Sequence, residues 1–160
     1  MTHRTLRDWL RRLLNPAGFK EVGALWVRTF PEVSQVVGLQ KSNFGNQYYI
    51  NLGIAIRALG IPEPIKEEVC HIRIRAEALL DPESPVSQLL DLDQSLSPEA
   101  REQRLNATVS PAVSKFLASS RDIDGLQTLK SSGLMSRAFV HRRAREILEP
   151  DRADHSGPDT

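Results

Sequence analysis

The sequence is short of cysteine, of aromatic residues (6%) and of long apolar runs, and each shortage removes a class of protein. A lone thiol, Cys70, can form neither an internal disulfide nor a multi-cysteine metal site, so the thiol count points to a reducing compartment. No stretch approaches the roughly 18 apolar residues of a membrane-spanning helix. Residues 1–14 alternate Arg with Leu and Trp and do not read as a secretory leader. By elimination the expected address is cytoplasmic, with no membrane partner. His3, His141 and His155 fall in a terminus, a helix and a tail with no metal-ligand spacing, so neither a metal nor a cofactor is expected. The Gly-x-Ser-x-Gly and Gly-x-Gly-x-x-Gly patterns are missing, and Gly38–Ser42 lacks the first glycine and the receiving helix of a phosphate loop. No catalytic residue is assigned, and the reading leans away from an enzyme.

What is present is an ordinary globular composition, 40% hydrophobic and 26% charged over 160 residues, enough for one hydrophobic core. A single domain is expected over residues 1–149, with a disordered tail at 150–160. Leu6, Trp9, Leu10, Leu13 and Leu14 recur at helical spacing, which predicts an amphipathic helix over residues 4–14 ended by Asn15, Pro16 and Gly18. Period-two alternation predicts strands at 24–30, 33–42, 47–57 and 69–76. Asn43-Phe44-Gly45-Asn46 suits a four-residue hairpin loop, and closing it there pairs Gln40 with Tyr49, Leu39 with Ile50, Val37 with Leu52 and Gly38 with Asn51. Residues 81–95 read as a loop with one helical turn from Pro85.

Ser97-Pro98-Glu99 starts a helix reaching about residue 120, either kinked or divided at Pro111. Further helices are expected at 122–131 and 136–149. The fold class is α+β: an N-terminal helix, an antiparallel meander of about four strands, and a C-terminal helical half packed on one face.

The most informative stretch is residues 70–77, where Cys70, Ile72, Ile74 and Ala76 alternate with His71, Arg73, Arg75 and Glu77. His71, Arg73 and Arg75 are expected on one sheet face, joined there by Gln40 and Asn51 from the neighbouring strands. Such a face offers guanidinium clamps for a carboxylate, a phosphate or a nucleic-acid backbone. An outer sheet face is charged in most antiparallel proteins, so a solvated surface is the competing reading. Gly38 and Gly53 fall on the same face and leave bare backbone that a ligand, another chain or a C-terminal helix can approach, the helix pairing its carboxylates with the arginines. Cys70 and His71 point to opposite sides and cannot act as nucleophile and base. The acidic segment 81–102 is either a loop or a mimic of an anionic backbone toward a basic partner. The basic run 141–145 sits beside Glu146 and Glu149 and reads as a solvated helix face, so nucleic acid is disfavoured.

Gly18-Phe19-Lys20, Leu25-Trp26-Val27-Arg28, Val36-Val37-Gly38-Leu39-Gln40-Lys41-Ser42 and Tyr49-Ile50-Asn51-Leu52-Gly53-Ile54, with Cys70 to Arg75, resemble the bacterial family catalogued as domain of unknown function 4304. The resemblance spans about residues 4–130. It implies a stand-alone bacterial domain and carries no activity, cofactor or catalytic residue onto these positions. Small α+β domains of this class include immunity proteins found beside toxin genes. The leading functional expectation is therefore a non-enzymatic protein-interaction module, of the immunity type if its partner is a toxin. The alternative is a site for an anionic small ligand or nucleic acid on the face of Gln40, Asn51, His71, Arg73 and Arg75.

Overall fold

The computed structural model describes residues 1–149; the tail expected at 150–160 lies outside the described residues. Helix α1 (His3–Leu14) is capped by Thr2, whose hydroxyl accepts from the Thr5 N–H while the Thr5 hydroxyl accepts from the Thr2 N–H. Its apolar stripe of Leu6, Trp9, Leu10 and Leu14 is buried. Arg7 and Arg11 hold Glu21 at 2.8 and 2.9 Å, which ties the helix to the first strand.

Six strands follow as β1 (Lys20–Val22), β2 (Leu25–Thr29), β3 (Val33–Lys41), β4 (Tyr48–Ile56), β5 (Ile72–Arg75) and β6 (Phe139–Val140). They form one antiparallel sheet in sequence order. The expected meander stands, but it has six strands where four were expected. The β3–β4 register is the one the hairpin loop dictates: Gln40 opposite Tyr49, Leu39 opposite Ile50, Gly38 opposite Asn51 and Val37 opposite Leu52. Trp26, Val37, Ile50, Leu52, Ile54, Ile72 and Ile74 join α1 and the C-terminal helices in the main core.

Helix α2 (Val86–Leu89) is the single turn expected from Pro85. Helix α3 (Pro98–Ser119) starts at Ser97 and runs unbroken through Pro111, burying Leu105, Val109, Val113, Phe116 and Leu117. Its C-terminal end is fixed to the sheet by Gln35, a fully buried amide that donates to the Leu117 and Ser120 carbonyls and accepts from Arg28. Helix α4 (Ile123–Ser131) is capped by Asp122.

Residues 136–149 are not the single helix the sequence suggested. A 3-10 turn (Leu134–Arg137), β6 and the short helix α5 (Arg142–Leu148) take its place. The free edge of β5 captures the chain there, pairing Ile72 with Val140 and Arg73 with Phe139, and the His141 N–H donates to the His71 carbonyl. A buried edge left without partners would strand its amides, and this pairing outweighs local helix propensity. Among the described residues no helix is long and apolar enough to cross a membrane.

The fourth expected strand is also shorter than 69–76. Glu67–Val69 is a 3-10 turn, and the ladder begins only at Ile72. Cys70 therefore does not share the side of Ile72 and Ile74. It is buried against Val36 and Ala55 in a second small cluster, to which Leu25, Val27, Ile61 and Ile65 contribute. The connection between β4 and β5 thus folds back over the sheet face opposite the helices. A Cβ at Gly53 would lie 2.7 Å from the Cys70 sulfur, and one at Gly38 would lie 3.0 Å from Leu25. The two glycines make room for this connection and for Leu25, not for a C-terminal helix as the sequence reading favoured.

Candidate functional site

The part of this second face nearest β5 carries a cleft of about 460 Å³. Gln40 from β3, Asn51 from β4 and both Arg73 and Arg75 from β5 line it, as the alternation of those strands requires. The ladder places Asn51 directly opposite Arg75 and Gly53 opposite Arg73. The Asn51 amide donates to Gln40 Oε1 at 2.8 Å. This bond uses one donor of Asn51 and one acceptor of Gln40, and it holds both side chains in place.

Each guanidinium of β5 lies on an aromatic ring. Arg75 is 4.0 Å from the ring centre of Tyr49, and Arg73 is 4.3 Å from that of Phe139. Stacking of this kind fixes the guanidinium plane while leaving its edge N–H groups free to donate. Among the described residues neither arginine forms an ion pair within 4 Å, and Arg73 Nε is buried with no hydrogen-bond partner. Arg137 reaches the cleft from the 3-10 turn before β6, its Nη1 donating to the Leu80 carbonyl at 3.1 Å.

Two carboxyl groups complete the lining. Glu77 follows Arg75 in the 3-10 turn Ala76–Leu79, and both of its carboxyl oxygens are buried without a partner. Desolvation pushes its pKa up, against the pull of its own backbone amide, which lies outside hydrogen-bond geometry, and of nearby Arg75. Glu67 belongs to the connection that covers Gly53. Burial raises its pKa, helped by Glu68 and opposed by Arg73 and Arg75. The cleft therefore combines three guanidiniums with two carboxyls that resist ionisation.

His71 is not part of this cleft. It precedes the ladder, and its Nδ1 accepts the Ile56 N–H at 2.8 Å while its ring packs edge-on to His141. Desolvation, then His141 and Arg143, lower its pKa. The structure thus unites four of the five residues marked by the sequence, and His71 serves the sheet end. Glu77 stood next in the polar series of the sequence, but it lies past the end of the ladder in a 3-10 turn, so the parity alone did not place it. Glu67 and Arg137 carried no comparable signal, because a 3-10 connection and a two-residue strand bring them in.

Cys70 is enclosed, its thiol 3.5 Å from the Lys66 carbonyl and its pKa pushed up to about 12, chiefly by burial. Among the described residues no group of three or more His, Cys, Asp or Glu could hold a metal ion. The 141–145 run is spent on the α5 start, where His141 Nδ1 accepts the Arg143 N–H, and on an exposed Arg142–Glu146 pair at 3.4 Å. In the acidic segment, Asp93 accepts from Asn46 and Glu102 pairs with Arg12.

No curated protein and no solved structure matches the chain. The model of one family, described as a domain of unknown function (DUF4304), matches residues 10–119, a span that contains every cleft residue except Arg137. That span is well over half of the sequence, and the chain belongs to the DUF4304 family.

Proposed function

We propose that the protein binds a small anionic ligand, a carboxylate or a phosphate, in the cleft on the sheet face opposite the helices. The observation that carries this reading is the pairing of Arg73 and Arg75 with aromatic rings instead of carboxylates, in a cleft that Arg137 also lines. Flat, oriented guanidiniums with free N–H edges suit bidentate recognition of an oxyanion. A solvated sheet face would not need a buried Arg73 Nε with no partner. The cleft is also within the size range of small-molecule sites, and the Gln40–Asn51 pair supplies neutral amides for orientation.

The reading is tested by calorimetric titration with a panel of small carboxylates and phosphates, comparing wild type with Arg73→Ala. Loss of one charge-assisted contact is worth about 1.5–3 kcal/mol, so affinity should fall roughly tenfold or more while the thermal midpoint moves little. No binding by any panel member, or equal binding by the variant, defeats the proposal.

Phe44, 95% exposed at the tip of the β3–β4 hairpin, favours a second reading as a partner-binding module. On that reading Phe44→Ser abolishes recovery of one stoichiometric protein partner, and unchanged recovery dismisses the role of the tip.

A further inference from the structure

We infer that the ligand is an acidic amino acid, its carboxylates taken by the arginines and its ammonium group by Glu77. This rests on the anion-binding reading and adds to it what the ligand must donate. Two residues that line the cleft carry unsatisfied polar atoms of both kinds: Arg73 Nε is a buried donor without an acceptor, and Glu77 Oε1 and Oε2 are buried acceptors without a partner. A simple anion would satisfy the first and be repelled by the second. A simple cation would do the reverse. A molecule bearing both groups answers both deficits at once, and an unmade hydrogen bond at a buried charged atom is among the more expensive defects of a folded protein.

The balance of charge narrows the class. Arg73, Arg75 and Arg137 stand against Glu67 and Glu77, so the ionised cleft has one positive charge in excess. A dicarboxylic amino acid has two carboxylates and one ammonium and matches this excess. Both carboxyls also sit in surroundings that disfavour their ionised form, and an ammonium group arriving beside them restores it. Within the site, Glu77 supplies discrimination and the arginines supply attraction: a buried carboxylate weakens the binding of a dianion that brings no cation with it, relative to one that does.

The test uses matched probes that differ only in the amino group, L-glutamate against glutarate and L-aspartate against succinate, titrated into the whole chain. At least one amino acid should bind tenfold or more tightly than its des-amino partner. Glu77→Gln should erase that preference without weakening the dicarboxylate, and Arg73→Ala should weaken both. If the dicarboxylates bind and the amino acids bind no better, the assignment of Glu77 is overturned and the anion site survives. If neither kind of probe binds, this inference is overturned, and the titration with the wider panel decides whether the anion site falls with it. Retention of the preference in Glu77→Gln also overturns the inference, and the wild-type comparison stands whether or not that variant folds.

Discussion

Substituting Gly53 by alanine probes the closest packing on the second sheet face. The added methyl group would meet Cys70 Sγ at 2.7 Å, Cys70 Cβ at 3.0 Å and Glu67 Cγ at 3.5 Å. Real Cβ atoms do not approach a thiol that closely, so either the β4–β5 connection lifts from the sheet or the sheet yields. Overpacking of this size costs about 1–3 kcal/mol. For a domain of this length each kcal/mol moves the thermal midpoint by about 2–4 °C. Gly53→Ala should therefore lower the midpoint by roughly 2–12 °C, and urea titration should give the same free-energy loss.

A double-mutant cycle isolates the contact. Cys70→Ala removes the sulfur at a cost of about 1 kcal/mol for the lost apolar burial. In the double variant the 2.7 Å clash is gone, although the 3.0 Å approach to Cβ remains. Its loss should fall short of the sum of the single losses by about 1 kcal/mol. Because Glu67 rides on the same connection, Gly53→Ala should also weaken ligand binding in the cleft. A Gly53→Ala protein within about 0.5 kcal/mol of wild type, or strictly additive losses, refutes the close approach.

Arg101 is 1% exposed and donates to the carbonyls of Gln88, Leu89, Asp91 and Gln94, so it holds the acidic segment closed around its guanidinium. Arg101→Met strands those acceptors and should cost about 3 kcal/mol or more in urea unfolding, and Arg101→Lys should restore only part of it; a loss under about 1 kcal/mol contradicts the role. His71 accepts a backbone N–H through Nδ1 and has a lowered pKa, so the folded state favours the neutral ring. The unfolded chain then binds the proton first: this contribution is complete above about pH 6.5 and is lost as pH falls through the lower folded value. Urea midpoints measured between pH 8 and 5 should fall toward acid, with a smaller slope in His71→Asn; equal slopes refute the assignment.

The central hairpin was legible because three independent signals agree there: a loop of the right length, and two nine-residue strands whose alternations keep the same side inward. Residues 70–76 misled for a physical reason. Alternation predicts a face only inside a ladder, and the ladder starts at Ile72, so the parity assigned to Cys70 and His71 did not apply to them. The strands Lys20–Val22 and Phe139–Val140 are too short to carry a period. Gln40, Asn51, Arg73 and Arg75 were readable from register alone, whereas Glu67 and Arg137 reach the cleft only through tertiary closure.

The most direct test of the cleft as a binding site is titration of wild type and Arg73→Ala with L-glutamate and glutarate at neutral pH and low salt. Saturable binding of the amino acid by wild type, at least tenfold weaker in Arg73→Ala and with the two apo proteins unfolding at nearly the same temperature, is the expected result. No heat from either probe with folded wild type would contradict the acidic-amino-acid assignment, and equal binding by the two proteins would contradict the cleft as the site.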